Sequence, residues 1–533
     1  MGTLYYGDNL DILKRYIKDE CVDLVYLDPP FNSAQNYNAF FHEKDGTDAT
    51  SQIRAFEDTW HWDIETKKAY DAVTEQPGKV SDVMQAFYTF LGGNDMMAYL
   101  TMMSSRLVEL RRVLKPTGSL YLHCDPTASH YLKILCDAIF EKNSFRNEIT
   151  WKRTTAHSDA NRYGSNTDTI LFYSKSETWT WNQLYLDHDE KYLARFRQKD
   201  SDGRFWQDDN LSAKGLSGGG YNYSYKGISG YWRCPLETMQ ELDKSGRLHF
   251  TKAGGIRIKR YLDENKGNPV QALWTDIPPI NSQASERLGY PTQKPVALLE
   301  RIVKISSNPG DVVLDPFCGC GTTIDAAEKL GRKWIGIDIT QLATSLIKNR
   351  LRDTYGDKIE IITIGEPTTP NEASVLAEQD KYQFQWWALG LVGARPVEQK
   401  KGADHGIDGK ILFRDDPEAA KPEQIIIQVK GGKTGVKDVR DLRGVLDREK
   451  AAIGILISLQ PPTGPMETEA ASAGFYEHKT NKQKFPRLQL LTVKELMDGK
   501  GIERPTSAAS LDETFKKAPK SKKKDTEQTE LGV

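Results

Sequence analysis

The chain contains few cysteines, and their spacing is not that of a metal site or a disulfide framework. Only six occur among 533 residues, and no two of them form a Cys-x-x-Cys pair. They are Cys21, Cys124, Cys136, Cys234, Cys318 and Cys320. Scattered cysteines in a chain of this length resemble neither the dense disulfide framework of a small secreted domain nor the paired cysteines of a zinc site. We therefore expect neither, and we expect the protein to act in a reducing compartment.

A surplus of charge of either sign is also lacking. The 72 Lys and Arg residues nearly balance the 74 Asp and Glu residues, which leaves a formal net charge of -2 at pH 7. A protein that coats nucleic acid with its whole surface would be strongly basic, so this class is excluded and any DNA-binding surface must be local. A chain of this length has room for roughly two to four domains.

Long apolar runs are absent as well. Residues 1–6 have no charged segment and no extended hydrophobic stretch of the kind found in secretory signals. No stretch approaches the roughly 20 apolar residues of a membrane-spanning helix, although residues 451–459 form one of the longest apolar runs. The sequence therefore predicts a soluble, cytoplasmic protein without a membrane partner.

What is present is a short motif at the end of a predicted strand. The run Val22–Leu27 is mostly apolar, with β-branched and aromatic residues, and is typical of a buried parallel strand. Pro29 and Pro30 cannot continue a strand ladder, so the strand must end at Asp28. A carboxylate, a rigid turn and the ring of Phe31 thus lie at the carboxyl end of a strand, where open α/β sheets bind ligands.

These groups suit methyl transfer to the exocyclic amine of a nucleobase. The lone pair of such an amine is delocalised into the ring, which makes the amine a poor nucleophile. A carboxylate and backbone carbonyls that accept its N–H bonds would favour the pyramidal, attacking form, and an aromatic ring would stack on a base drawn out of the duplex. Residues 28–31 match the motif (D/N/S)-P-P-(Y/F/W), and here the sequence resembles the amino-methylating DNA methyltransferases. Taken alone, the motif is equally compatible with a strand that merely ends in a Pro-Pro turn.

The surrounding pattern is that of a doubly wound α/β sheet. A short strand at residues 4–6 precedes a helix through Tyr16. A helix over residues 95–114 is followed by a turn at residues 115–118 and a strand at residues 119–125. Methionines recur at helical spacing in the second helix and are predicted to lie in the core. In the methyltransferases, an acid after the first strand helps to bind the adenine of the cofactor. Asp8 therefore either binds cofactor or only caps the first helix.

A second group of motifs predicts the cofactor site. Residues 312–323 indicate a strand, a glycine-containing loop and the start of a helix, which together let backbone and helix N-terminus approach a ligand. Asp315 ends this strand and suits an ammonium group, whereas Asp338 ends the next strand and can accept both hydroxyls of a ribose. Residues 315–321 match the S-adenosylmethionine motif, and residues 292–295 match the segment that precedes it in this family. The resemblance assigns to the cofactor site Asp8, Thr292, Lys294, Pro295, Asp315, Pro316, Phe317, Gly319, Gly321, Thr322 and Asp338.

The order of the motifs, catalytic before cofactor, resembles the circularly permuted β group of amino-methyltransferases, as in Type III modification subunits. The resemblance implies a Rossmann-like S-adenosylmethionine-dependent methyltransferase sheet built from residues 1–153 and 286–363. It also implies a catalytic role for Asp28, Pro29, Pro30 and Phe31, and action on specific sites of double-stranded DNA in restriction–modification or phage defence at a bacterial or archaeal nucleoid. An Asp at position 28 favours the N6 amine of adenine. Cytosine N4 is the alternative, although those enzymes more often carry Ser there.

Two segments between these motifs are predicted to be irregular. Residues 33–61 are polar and aromatic without one clear period, which indicates a loop over the site. In residues 154–285, glycines and aromatic and basic residues interleave, a composition that suits DNA phosphates and bases. We expect a target-recognition region there, because it separates the catalytic and cofactor segments. An irregular insertion without a DNA-binding role is the alternative.

A second α/β domain is predicted over residues 382–505, after a linker at residues 364–381. Two neighbouring strand ends would bring Asp408, Gln428 and Lys430 together. This pattern resembles the PD-(D/E)xK nucleases, and specifically the Mrr-like restriction endonucleases, so a restriction-endonuclease-like fold is expected.

The resemblance suggests a Mg²⁺ site in this domain. Asp408, the side chain of Gln428 and the carbonyl of Val429 can supply oxygen ligands, and Lys430 can orient or activate the attacking water. Gln428 gives the metal one negative ligand fewer than the general pattern. An inert nuclease-like domain retained for DNA binding is therefore the alternative to an active endonuclease.

The remaining expectations concern the end of the chain and its partners. Residues 506–533 are rich in lysine and have no apolar pattern, which predicts a disordered basic tail. Double-stranded DNA is the expected partner. The sequence leaves open whether the protein forms a homodimer and whether it needs a separate restriction or specificity subunit.

Overall fold

The structure is a computed structural model that divides into two compact units, residues 1–182 with 272–533 and residues 183–271. It describes residues 2–30, 37–42, 48–56, 61–155, 161, 163–214, 219–281, 283–290, 292–356, 359–397, 406–415, 421–505, 511–515 and 517–520. For residues 37–42, 48–56 and 511 only the backbone is described. Among the described residues, no helix combines the length and the apolar character that crossing a bilayer requires.

The first unit is built on a nine-stranded sheet in its described residues. Its strands are β1 Gly2–Tyr6, β2 Val22–Leu27, β3 Leu114–Cys124, β4 Phe145–Lys152, β5 Thr167–Ser174, β6 Leu273–Trp274, β7 Val312–Asp315, β8 Lys333–Asp338 and β9 Ile361–Ile364. Their order across the sheet is β6-β4-β5-β3-β2-β7-β8-β1-β9. The run from β3 to β9 is parallel, and β5 is antiparallel to both of its neighbours. The predicted α/β sheet is therefore present.

Helices cover this sheet and bury its apolar side chains. They are α1 Asn9–Tyr16, α2 Ile64–Thr74, α3 Lys79–Leu91, α4 Asp95–Val113, α5 Ser129–Phe140, α6 Val296–Ser306, α7 Thr322–Lys329 and α8 Gln341–Tyr355. Met97 and Met103 of α4 are fully buried in the same core as Val25 of β2 and Leu314 of β7. The methionines are thus core residues, as predicted.

The sequence analysis assigned residues 115–118 to a turn, and this was wrong because they lie within β3. The pairing of β2 with β3 shifts register there, from Val22 opposite Leu114 to Leu24 opposite Ser119. The ammonium group of Lys115 contacts both carboxylate oxygens of the buried Asp23, at 2.7 and 2.8 Å. A bulge held by this cross-strand ion pair therefore keeps the chain in the sheet.

Two segments expected to be irregular also differ from the prediction. The predicted loop at residues 33–61 contains a two-stranded antiparallel hairpin, Tyr37–His42 with Asp48–Phe56. The expected insert at residues 154–285 is narrower, since β5 and β6 belong to the main sheet. Strand pairing decides both cases, with a nearby partner in the hairpin and with distant partners for β5 and β6, and the composition of one short run does not reveal it.

Residues 183–271 form a compact unit of their own. A four-stranded antiparallel sheet runs in the order Leu248–Phe250, Ile256–Tyr261, Phe205–Asn210, Gln198–Lys199. Two further strand pairs are Tyr221–Tyr225 with Ile228–Trp232 and Tyr185–Leu186 with Asn268–Pro269, and the helices are Glu190–Leu193 and Leu236–Lys244. Trp232, Met239 and Ile258 lie in a small core of this unit.

The C-terminal part of the first unit contains a second sheet. Its strands are β10 Arg395–Pro396, β11 Gly409–Arg414, β12 Glu423–Lys430, β13 Ile453–Ser458 and β14 Leu488–Thr492, and its helices are α9 Pro370–Gln379, α10 Lys381–Leu391, α11 Val436–Glu449, α12 Gly464–Ala471 and α13 Val493–Met497. The strands pair in chain order, with β12, β13 and β14 parallel. A separate hairpin joins Phe475–Glu477 to Lys484–Pro486.

Two expectations about connecting segments need correction. The linker at residues 364–381 contains α9, whose N-terminus is capped by the Thr369 hydroxyl and begins with a proline.

The tail is ordered where it is described: strand Leu511–Asp512 pairs with β11, and the amide of Ala518 donates to the carboxylate of Asp353 at 3.1 Å. Residues 521–533, where most of the remaining tail lies, are outside the described residues.

Candidate active site

The carboxyl ends of the central parallel strands meet at a cavity of 480 Å³. Strand β2 leads into Asp28, β7 ends at Asp315 and β8 ends at Asp338, and these strands are neighbours or next neighbours in the sheet. The following candidate residues line the cavity: Asp8, Asp28, Pro29, Pro30, Thr292, Lys294, Pro295, Asp315, Pro316, Phe317, Gly319, Thr322 and Asp338. Phe31 lies outside the described residues. The two motif groups, distant in the sequence, therefore share one cavity.

Asp28 forms an ion pair across this cavity with Lys294. The Lys294 ammonium lies 2.5 Å from Oδ2 of Asp28, and both side chains are largely buried. The pair joins the segment after β2 to the segment before α6. The carboxylate of Asp28 thus faces the cavity, fixed in place by Lys294, beside the rigid Pro29-Pro30 turn.

Asp315 is a buried acid whose hydrogen bonds only partly offset the loss of contact with water. Only 3% of its surface is exposed, and its Oδ1 accepts the amide hydrogen of Phe317 at 3.0 Å. Burial raises the pKa of Asp315 to about 7, because removing a carboxylate from water disfavours its charged form. A cationic ligand in the cavity would reverse this effect.

Asp338 organises the loop that follows β7. Its Oδ2 accepts the amide hydrogen of Gly319 at 2.9 Å, and its Oδ1 accepts the amide and hydroxyl hydrogens of Thr340 at 2.9 and 2.8 Å. Burial raises the pKa of Asp338 above its ordinary value. Each carboxylate oxygen has two lone-pair directions, so Oδ2 retains capacity for a ligand hydroxyl.

Gly321 is required by packing at the start of α7. Its φ is +75°, a left-handed conformation, and a Cβ there would lie 2.6 Å from Cγ1 of Ile347. Gly321 is absent from the cavity lining, in contrast to Gly319. Its part in the motif is therefore to let the loop enter the helix.

Asp8 caps α1 and also belongs to the cavity wall. Its Oδ1 accepts the amide hydrogens of Leu10 and Asp11, and its Oδ2 pairs with Arg106 of α4 at 2.7 Å. Arg106 also donates to Asn9, whose amide donates to the carbonyl of Pro316 at 2.8 Å. Sequence reasoning missed Arg106 and Asn9, because their link to the cofactor loop exists only in the folded sheet.

A buried polar chain lies on the other side of Asp28. The Tyr26 hydroxyl lies 2.9 Å from Nδ1 of His123, whose Nε2 lies 3.0 Å from Oδ2 of Asp168. The guanidinium of Arg153 lies 3.2 Å from Oδ1 of the same carboxylate. Burial favours a raised pKa for Asp168, but the hydrogen bond and charge of His123, with Lys294 and Arg153, lower it below its usual value.

This chain extends the site to strands β3, β4 and β5, since His123 belongs to β3. Tyr26, Arg153 and Asp168 line the cavity with Trp151, whose indole donates to the carbonyl of Ile277 at 3.0 Å. These residues come from β2, β4, β5 and the segment after β4, which no local motif connects. The cavity therefore has a cofactor-motif side on β7, β8 and β1 and an opposite side on β5 and β4, with Asp28 between them.

The C-terminal residues predicted to bind Mg²⁺ also lie together, but their donor groups do not fit the metal. Oδ2 of Asp408 accepts the amide hydrogen of Val429 at 2.7 Å, and its Oδ1 accepts from the side chain of Gln385 at 3.3 Å. The amide of Gln428 donates to the carbonyl of Gly406 at 2.5 Å. Within the described residues, no group of three or more His, Cys, Asp or Glu side chains could hold a metal ion.

A single carboxylate, with no second charged oxygen ligand beside it among the described residues, is a poor site for a cation that prefers several charged oxygens. Lys430 ends β12 next to these residues, half-buried. The arrangement therefore supports the inert alternative over the expected Mg²⁺-dependent site, and no metal-dependent step follows from it.

Comparison with protein families assigns both parts of the chain. A family model described as DNA methylase matches residues 22–349, more than half of the chain. A second family model, described as NACHT-associated inactive restriction endonuclease 1, matches residues 382–498. The second match agrees with a nuclease-like domain and with the inert alternative of the sequence analysis, and it does not confirm the resemblance to Mrr-like endonucleases.

Three curated relatives resemble the first part. The type II methyltransferase M.EcaI of Enterobacter cloacae is 36% identical over 271 residues, which cover 49% of this chain and 60% of the relative. The Mod subunit of the Type III restriction-modification enzyme StyLTI of Salmonella typhimurium is 28% identical, covering 61% of this chain and 50% of the relative. The DNA adenine methyltransferase YhdJ of Escherichia coli is 24% identical, covering 63% and 78%. The chain thus spans 60% and 50% of the length of the first two relatives.

Proposed function

The chain belongs to the DNA methylase family, and on that basis we propose that it transfers a methyl group from S-adenosylmethionine to the N6 amine of adenine at specific sites in double-stranded DNA. The observation that carries this proposal is the shared cavity, in which Asp28 lies between the cofactor-motif side and the opposite side. A methyl donor and an acceptor amine bound on the two sides would meet at this carboxylate.

The cofactor-motif side offers groups that fit S-adenosylmethionine. Asp315 is a buried acid whose raised pKa a cationic ammonium group would bring down. Asp338 has free acceptor capacity for ribose hydroxyls, and Asp8 and Thr292 line the same cavity. Bound there, S-adenosylmethionine would supply an electrophilic methyl carbon on its sulfonium group.

Asp28 would act on the acceptor amine. Its carboxylate and the carbonyl of Pro29 would accept the N–H bonds of the exocyclic amine, which favours the pyramidal form whose lone pair attacks the methyl carbon in line. As the N–C bond forms, the bond from the methyl carbon to sulfur breaks, S-adenosylhomocysteine leaves, and the methylated amine gives up one proton to solvent. Phe31, by the motif, would stack on the flipped base. Positioning and electrostatics supply the rate, and no covalent bond to the protein forms.

Arg153 and Asp168 suit the base itself. A carboxylate and a guanidinium side by side present an acceptor and donors, the complement of an amine next to a ring nitrogen. Adenine N6 with N1 offers this edge, and cytosine N4 with N3 offers it too. We favour adenine on the basis of Asp28 and keep cytosine N4 as the alternative.

Modified-base sequencing of DNA from cells that express the protein tests this function. We expect N6-methyladenine at a defined sequence with the wild-type chain and none with Asp28→Ala. Asp125→Ala is a matched control, because Asp125 also follows a strand and precedes a proline, but its carboxylate accepts the amide hydrogens of Thr127 and Ala128 in the turn before α5. Methylation that persists in Asp28→Ala would refute the mechanism, and N4-methylcytosine would select the alternative base.

We propose that residues 382–498 do not cut DNA. Their donor groups and the match to an inactive endonuclease family support this. Incubation of unmethylated DNA with the protein and Mg²⁺ should leave it intact, and Lys430→Ala should change nothing. Cleavage that is lost in Lys430→Ala would restore the active-nuclease interpretation. If the DNA stays intact, any cleavage that accompanies this methylase would have to come from a separate restriction subunit. Co-purification of the protein from its host tests whether such a subunit binds.

A further inference from the structure

We propose that helix α10 of the C-terminal domain positions the cofactor-motif side of the cavity, with Trp386 and Gln383 as the positioning residues. The nuclease-like domain would then serve methyl transfer by setting the affinity for the methyl donor. This inference rests on the proposed function. It gives a role to the C-terminal domain, for which the match to an inactive endonuclease family suggests none.

The first contact that carries the inference is made by Trp386. It packs with Tyr290 against Leu342 and Leu346, two buried residues of α8, in a cluster that also contains Phe515. Tyr290 lines the cavity, and its ring lies so close to Gly319 that a Cβ there would be 3.2 Å from Cε1. Trp386 and Tyr290 thus pack against the same two leucines of α8, which links Trp386 to the aromatic ring beside the glycine loop of the cofactor motif.

The second contact joins α10 to strand β1. The Tyr6 hydroxyl donates to Oε1 of Gln383 at 2.9 Å. Burial, followed by the nearby carboxylates of Asp380, Glu366 and Asp338, raises the pKa of Tyr6 well above its ordinary value, so the phenol remains a donor. Tyr6 pairs with Asp338 across the β1–β8 ladder, which places this hydrogen bond next to the acid assigned to the ribose.

The third observation is how closely α10 approaches α8. A Cβ on Gly390 would lie 3.0 Å from Oγ of Ser345, so the glycine allows a tight fit between the two helices. On the same helix, the side chain of Gln385 donates to Asp408, one of the residues predicted to bind Mg²⁺. Helix α10 therefore contacts both this group of residues and, through Gln383 and Trp386, the elements that carry the cofactor motif.

Isothermal titration of the full chain with S-adenosylmethionine tests the inference. We expect Trp386→Ala to weaken binding about threefold to tenfold while the kcat of methylation at saturating donor stays within about twofold. Trp386→Phe should restore most of the affinity. Tyr382→Ala is the matched control, because Tyr382 lies on the same helix and is 51% exposed.

Tyr6→Phe provides an independent variant that removes only the hydrogen bond to Gln383, and it should weaken donor binding in the same direction. Unchanged affinity in both folded variants would overturn the inference and leave α10 as packing alone. A fall in kcat with unchanged affinity would also overturn it. Failure of the wild-type chain to bind the donor would instead refute the proposed function, so the two outcomes are distinct.

Discussion

Asp315 is an acid in the cavity whose pKa burial raises to about 7, within the range that a binding experiment can cover. In the ligand-free protein its pKa of about 7 exceeds the ordinary value of an aspartate. The native state therefore holds a proton that the unfolded chain releases, so this residue contributes stability that declines as the pH rises from about 4 to about 7. Binding of a cation has the opposite dependence, because it needs the carboxylate.

The affinity for S-adenosylmethionine should consequently rise with pH up to about 7 and level off above it. Titration calorimetry between pH 5.5 and 8.5 measures this, and binding near neutral pH should release a proton to the buffer. Asp315→Asn should bind more weakly and lose the pH dependence. A wild-type affinity that is flat across this range would contradict the assignment of the ammonium group to Asp315.

Asp168 allows a separate prediction on the other side of Asp28. Asp168→Asn should lower kcat about tenfold or more, because it removes a charge-assisted partner from both His123 and Arg153. Donor affinity should remain unchanged, since Asp168 lies away from the cofactor-motif strands. Steady-state kinetics with donor and DNA varied in turn separates these effects. Asp137→Asn, which breaks an ion pair with Lys133 on α5, should leave kcat intact.

At the scale of helices and strands, two glycines show how packing between elements can require a glycine that does not line the cavity. Gly321 and Gly331 both adopt left-handed conformations, with φ of +75° and +73°. A Cβ on Gly331 would meet nothing within 4 Å, whereas one on Gly321 would collide with Ile347. The two glycines therefore separate backbone strain from steric conflict.

Gly331→Ala should lower the free energy of unfolding by about 1 kcal/mol, the cost of the left-handed conformation. Gly321→Ala should lower it by that amount plus about 1–3 kcal/mol for overpacking. Thermal denaturation of both variants gives the difference, and Ile347→Ala combined with Gly321→Ala should recover part of it. Equal losses in the two single variants would show that Ile347 yields without resistance.

The same scale shows what the sequence can and cannot predict. Strands β2, β7 and β8 were predicted because each is a short apolar run that ends at an acid, a signal contained in consecutive residues. The bulge at residues 115–118 was missed because Asp23 of another strand decides it. Helix α9 was missed because Pro370 indicates a linker in sequence but fits the first turn of a helix.

The candidate site also contains residues that the sequence predicts and residues that it does not. Asp28, Asp315 and Asp338 lie in motifs and were expected together, and they share the cavity. Arg106, His123 and Asp168 lie in no motif, and each enters the site through a partner on a different element. Residues recruited by tertiary contacts of this kind give no local signal in a single sequence.

At the scale of the whole molecule, the interface through α10 makes the methylase part and the C-terminal domain interdependent. We expect both to unfold in one calorimetric transition. Saturating S-adenosylmethionine at about 100 times its Kd should add about 2.7 kcal/mol to that transition. Trp386→Ala should separate the transition into two. Two transitions in the wild-type chain, only one of them sensitive to the donor, would contradict this coupling.

The central pairing of β2 with β7 joins Leu24 to Val313 and Val25 to Leu314. On the ribosome, strand β2 emerges early and has to wait for β7 through the synthesis of almost the entire methylase part. A nascent chain therefore cannot close the middle of its sheet, or assemble a complete cavity, until residue 315 has left the exit tunnel. Interrupted translation before that point would release fragments that carry residues 28–30 but lack the strand ends at Asp315 and Asp338 that complete the cavity.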